Sequence, residues 1–341
     1  MWQERKRLIS QIEQKRRNSR LICYLTSDRQ NATAIIAKDA LPIFFNQLRA
    51  LGPVDRLDIL IFTAGGDTLA AFGLGRLVRE FADWIGVLIP DRCLSAGTLF
   101  ALGANEIFMT RAGTLSPIDP SITTPLNPFA EGPMPGQRQL LPVSVESVAG
   151  FRSLLQEEWS VKSEEMTAEI FKTLAEKVHP LALGDVYRSR QQIERLAHQL
   201  LTGHRDDDMQ VQTIIKTLTR GLGSHDYPIS LTEARKLLGG QIAVEDPELE
   251  GLVWDLYEDF RKELQLGVPF NPSAVLTEAR TKNQRPPIRA QLDLAVVESA
   301  TSRDVFQQDM FVSEATLPTP AGPLKAPQLE ILAAGWNHYD Q

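Results

Sequence analysis

Residues 57–120 limit the possible folds more than any other stretch. They read LDILIFTAGGD, an amphipathic run, WIGVLIPDRCLSAGTLFALGANEIFM and TRAGTLSPIDP. LDILIF is a short apolar run stopping at Gly65-Gly66, as a buried strand stops at a sharp turn. Leu69, Phe72, Leu77, Val78 and Phe81 share roughly one face of a helix over 68–81. A second buried-strand run covers 85–90, and Ser95-Ala96-Gly97 then opens a helix of small residues through Ala104. Residues 106–110 read as a third strand. The unit is strand–GG–helix–strand–Ser–helix–strand, and both strand-to-helix junctions carry chemistry.

Flanking patterns extend this unit. A strand at 21–26 and a helix at 39–51 make the run from 21 to 120 alternate strand and helix, the signature of an α/β layered domain. Residues 3–17 form a helix with Leu8, Ile9 and Ile12 as its apolar stripe and a basic face expected to be solvated or in a dimer contact. TTPLNPFAEGPMPGQRQLLP at 123–142 is a surface loop, a lid or substrate flap. Helical patterns follow near 144–158, 163–178, 185–202 and 209–220. The His204–Asp208 run reads as a solvated loop, and no metal site or cofactor is expected. Ser230 with Glu233 forms a capping box, and 248–264 is amphipathic. Beyond it come a linker-like stretch at 269–287, a hairpin at 292–297 and 305–312, and a Pro-rich stretch at 315–327. The domain reading is an N-terminal helix at 1–20, a core at 21–248 with a helical insertion at about 143–220, and a small α+β appendage at 249–341.

Composition removes several function classes. With a net charge of −7 and a pI near 5.4, the chain lacks the basic footprint of a nucleic-acid binder. No window approaches the roughly 18 apolar residues of a membrane span. The two cysteines form no metal or redox pattern, and the N-terminus is charged where a signal peptide has its apolar core. A cytoplasmic protein is expected.

At the junctions, a glycine pair after a strand lets the backbone approach a ligand and aim an amide at it. The first amides of the helix after Ser95 also point outward. Two converging N–H groups make an oxyanion hole, and Ser95 beside small residues is placed as a nucleophile. An N-cap serine and a tight glycine turn are each common, but here they stand 30 residues apart in matching strand–turn–helix contexts.

TAGGD, VLIP, SAGTLFALGANEIFM and LSPIDPSI together resemble the serine dehydrogenase proteinase family of the Clp protease/crotonase superfamily, akin to the protease core of signal peptide peptidase A. The resemblance runs over 20–122 and returns weakly at 179–201 and 225–240. It implies a spiral of ββα units and a homo-oligomer. It makes Ser95 the nucleophile, with the Gly66 and Ala96 amides as oxyanion donors and Gly65 as the turn residue. Asp67, which also reads as the cap of the following helix, and Gly97 would border the substrate. The position matching the Clp protease histidine is Asp119; the one matching its aspartate is Asp226, preceded by His225. Three versions of the base follow: His225 oriented by Asp119 or Asp226; a lysine from the helical region, such as Lys162, Lys172 or Lys177, or from a neighbouring subunit; or no competent base.

The leading reading is a cytosolic, ATP-independent serine peptidase acting on an extended peptide or protein. A crotonase-like acyl-thioester enzyme is disfavoured by the lack of a basic cluster near the glycines, and a dehydrogenase by the lack of a G-x-G-x-x-G fingerprint. The alternative of a different class is an inactive protease-fold oligomer that binds peptides or a partner.

Overall fold

Apolar runs ended by glycine or polar turns form the sheet that organises this chain. The computed structural model describes all residues except 1, 119, 120, 123, 132–137, 142, 160–162, 320, 321 and 341. It divides into two units, Met1–Thr114 with Ser230–Gln341, and Leu115–Ile229.

The first unit is mixed α/β. Four parallel strands lie side by side: β1 (Arg20–Thr26), β2 (Val54–Phe62), β3 (Ala82–Ile89) and β4 (Glu106–Met109). Three antiparallel strands continue the sheet outward from β1: β5 (Ile288–Ser299), β6 (Ser302–Thr319) and β7 (Gly322–Asp340). The segment expected as an appendage is therefore part of the central sheet. Without β5, the buried strand β1 would leave a row of backbone groups unpaired at an edge.

The helices of this unit are α1 (Trp2–Lys15), α2 (Ala40–Leu51), α3 (Thr68–Arg79), α4 (Ala96–Leu102), α5 (Leu231–Leu238), α6 (Pro247–Leu264) and α7 (Pro272–Thr281). The capping box of α5 is present as expected. Helix α7 lies in the stretch read as a linker, where the Asn271 cap and Pro272 in the first turn are its start signal. Strand β7 was hidden by its prolines, which an edge strand tolerates because its outer side forms no ladder.

Strand register sorts the core. Cys23, Leu60, Leu88 and Phe108 stand in one cross-strand row and pack in one cluster with Leu8, Ile9 and Ile12 of α1 and Val253, Leu256 and Phe260 of α6. On β1 the intervening residues Ile22 and Tyr24 point to the opposite face, where Tyr24 meets Phe44 of α2 edge-on at 5.2 Å between ring centroids.

The same register places Glu298 of β5 opposite Cys23, in an otherwise apolar row. Its carboxylate is fully buried and receives the Arg5 guanidinium at 3.0 Å. Arg5 falls one helical turn before Ile9, so it continues the buried stripe of α1 instead of the solvated face expected for its basic residues. It also binds Asp259 and Glu263 of α6, while Arg303 of β6 pairs with Glu263 and Glu298. Arg16 bonds the buried Asp58 at 2.9 Å and Glu106 at 2.5 Å. The basic helix is thus anchored largely by inward ion pairs.

In the second unit, the helices Pro180–Thr202 and Asp208–Lys216 contact each other and bury Val186, Ile193, Leu200, Val211 and Ile214. The Pro-rich stretch here contains a short antiparallel pair, Phe129–Glu131 with Arg138–Leu140. Asp207 of the acidic run caps the second helix through the Gln210 amide, the solvated-loop role expected for that run.

Burial outweighs the attraction of Arg5 and Arg303 and raises Glu298 to about 7, with Glu263 adding repulsion. Arg5, Asp259, Glu263, Arg303 and the buried Cys23 are the titratable groups around it. A carboxylate raised on folding stabilises fully below its unfolded pKa, and that contribution is lost as pH rises through the folded value. Wild type should lose stability from this site between about pH 4.5 and 7, while Glu298→Gln should not. Thermal melts of both proteins from pH 5 to 8 test this: the melting temperature of the variant relative to wild type should climb with pH, and parallel curves would refute it.

Candidate active site

Strand β2 ends at Phe62, and Thr63-Ala64-Gly65-Gly66 turns the chain into α3. Gly65 has φ +112° and Gly66 φ +147°, conformations that side chains rarely adopt. Space is closed to them as well. A Cβ on Gly65 would lie 2.9 Å from the Ser95 Cβ and 3.4 Å from the Ala96 amide nitrogen, and one on Gly66 would lie 2.6 Å from the Ile36 nitrogen. The two junctions found in the sequence therefore meet, with Gly65 in van der Waals contact with Ser95.

Ile36 holds the glycine turn from the other side. Its amide donates to the Gly65 carbonyl at 2.8 Å, and its carbonyl accepts from the Asp67 amide at 2.8 Å. Among the described residues, no backbone acceptor takes the Gly66 amide. Asp67 caps α3 by accepting from the Leu69 and Ala70 amides at 2.8 and 3.2 Å, as the sequence suggested, and its other oxygen stands 3.9 Å from Lys38 Nζ.

Ser95 precedes α4 with φ +50° and ψ −111°, and its side chain makes no cap bond to the helix. A positive φ on a residue with a Cβ costs about 1–3 kcal/mol and persists only where surrounding contacts hold it. Those contacts are backbone bonds on both sides: Leu94 donates to Thr63 at 3.1 Å, Gly97 to Leu94 at 2.8 Å and Leu99 to Ser95 at 3.0 Å. Ser95 itself is half-buried. The Ala96 amide, the first of the helix, has no backbone acceptor among the described residues, as the start of a helix dictates.

Gly97 differs from expectation. It is buried, and a Cβ there would lie 2.6 Å from the Thr63 methyl and 3.0 Å from Cys93 Sγ. Close interior packing, not a substrate border, accounts for glycine at this position. Burial also pushes the Cys93 thiol far up, leaving it a packing group.

The remaining sequence candidates belong to the second unit. His225 and Asp226 lie in a turn closed by the Tyr227 amide to the Ser224 carbonyl at 3.1 Å; His225 is half-buried and Asp226 exposed. Lys172 and Lys177 are exposed on the helix Glu164–Lys177. Asp119 and Lys162 lie outside the described residues. Among the described residues, no group of three or more His, Cys, Asp or Glu is arranged to hold a metal ion.

Sequence reasoning missed Thr63 and Ile36. A threonine two residues before Gly65 is the signal of a hydroxyl-capped turn. Ile36 carries no signal, because its role is played by backbone atoms alone.

Comparison with known proteins gives related sequences of two uncharacterized proteins from Methanocaldococcus jannaschii. MJ0137 is 27% identical over 215 residues, covering 62% of this chain and 63% of that protein. MJ1495 is 28% identical over 239 residues, covering 64% and 70%. The alignment thus spans under two thirds of the first relative's own length. Among solved structures, the 1510-N membrane-bound stomatin-specific protease is similar with a TM-score of 0.37 and 13% identity, covering 68% of this chain and 84% of that one. ClpP1 from Listeria monocytogenes gives 0.36 and 16%, covering 70% and 99%. Residues 1–129, which carry both the glycine pair and Ser95, are similar to the ClpP-like SDH-type serine proteinases.

Proposed function

We propose that the chain is a cytosolic, ATP-independent serine peptidase with Ser95 as its nucleophile. The observation that carries this reading is the strained, half-buried Ser95 held against Gly65, with two amides nearby that have no backbone acceptor among the described residues. Ser95 Oγ attacks the scissile carbonyl and loses its proton to the base. The carbonyl oxygen, now negative, accepts from the Gly66 and Ala96 amides. Collapse expels the amine with that proton and leaves an acyl-serine, which water hydrolyses by the same steps. The proton acceptor is proposed from the sequence alone: His225 oriented by Asp226 or Asp119, or else a lysine.

Substrate is proposed to be an extended peptide. The Gly65 carbonyl and Asp67 amide are already engaged by Ile36, so a peptide lying beside the glycine turn would pair on the Gly66 side. Assembly into a homo-oligomer is part of the same proposal and rests on the family resemblance. Among the described residues no helix is long and apolar enough to cross a membrane.

A fluorophosphonate probe tests the nucleophile. Wild type should label and Ser95→Ala should not. Loss of labelling in a folded His225→Ala variant identifies His225 as the base, and retention moves the search to a lysine. A folded wild type that never labels would favour the peptide-binding scaffold. Gly66→Ala should also label at least ~10²-fold more slowly, the cost of a misplaced oxyanion donor, because its methyl cannot fit beside Ile36; a wild-type labelling rate in that variant would rule the Gly66 amide out.

A further inference from the structure

Thr63 is buried just after β2 and is bonded to both junctions. Its amide donates to the Arg92 carbonyl at 2.9 Å and its carbonyl accepts from the Leu94 amide, so it holds the backbone that leads into Ser95. Its methyl packs where Gly97 has no side chain. Its hydroxyl serves the glycine turn: Oγ1 accepts from the Gly65 amide at 3.1 Å and from Thr26 Oγ1 at 2.9 Å, and donates to the Gly65 carbonyl at 3.3 Å. Both lone pairs and the proton of this hydroxyl are therefore used.

The consequence follows from peptide geometry. The Gly65 carbonyl and the Gly66 amide share one planar peptide, and in a trans peptide C=O and N–H point in opposite directions. The Gly65 carbonyl is held by the Thr63 hydroxyl on β2 and by the Ile36 amide. The Gly66 N–H is thereby aimed away from both. Thr26, on the neighbouring strand β1, fixes the rotation of the Thr63 hydroxyl.

We propose that Thr63 is a positioning residue that sets the direction of the Gly66 amide and couples it to the Ser95 turn, with Thr26 locking its hydroxyl. The inference rests on the serine peptidase reading above. Thr63 does not touch substrate and acts through Gly66 and the backbone at 92–94.

Labelling rates with a fluorophosphonate, measured against pH on full-length wild type, Thr63→Val, Thr63→Ser and Thr26→Val, test it. Thr63→Val keeps the shape and loses the hydroxyl; it should label about 10–100-fold more slowly at every pH, with the midpoint of the pH profile unmoved. Thr63→Ser keeps the hydroxyl and loses the methyl, and should recover a rate within about threefold of wild type even where its melting temperature is lower. Thr26→Val should fall between the two. A wild-type rate in folded Thr63→Val overturns the role of Thr63 and leaves the peptidase reading standing. Rates that track melting temperature across the set, with no rescue by serine, overturn it as well, because a purely structural residue behaves that way. Absence of labelling in folded wild type overturns the peptidase reading and this role together.

Discussion

Any side chain on Gly66 would run into the backbone of Ile36, and any on Gly65 would run into Ser95. This double close approach joins the segment 63–67 by hydrogen bonds to both 34–37 and 92–97. Each segment satisfies the backbone of the next, from Ile36 to Gly65 and Asp67, and from Thr63 to Arg92 and Leu94. The unusual backbone of Ser95 is affordable because these bonds and the buried helix α4 hold its flanks.

A second constraint works at the opposite end of the strands. Arg16 reaches the buried Asp58 through the space left by Gly86, where any side chain would collide with the Asp58 carboxylate. Ser19 donates to the same carboxylate at 2.5 Å. Together with Arg5, which also stacks over Phe260 at 4.0 Å, these pairs fix how α1 lies on the sheet. Buried ion pairs of this kind contribute little net stability, since desolvation offsets their attraction. Their effect is to exclude other registers, because an unpaired Arg5, Asp58 or Glu298 in this core would cost several kcal/mol. The helix that closes one face of the sheet is thereby specified by charge and by its apolar stripe together.

Much of the fold was legible because its signals are local. Strands β1 to β4 and helices α1 to α4 follow from apolar runs and 3.6-residue periodicity broken by glycine. Helix α7 and strand β7 were not, for different reasons. The α7 start signal stands among prolines that also mark linkers, and β7 is admitted only because it occupies an edge. The membership of β5 in the main sheet was hidden too, since strand pairing across more than 250 residues leaves no local trace.

At the site the same division holds. The residue types and turns by themselves determined where the two strand-to-helix junctions fall: a glycine pair at one strand end, a serine at the next, and an Asp67 that caps the helix between them. Backbone preferences are properties of single residues, so they are written in the order of the chain. Only the tertiary structure decided that Gly65 touches Ser95, that Ile36 occupies one side of the glycine turn, that Gly97 packs inward, and that Thr63 joins the junctions. These are contacts between backbone atoms that every residue carries, and their partners are selected by how strands stack, which no residue announces alone.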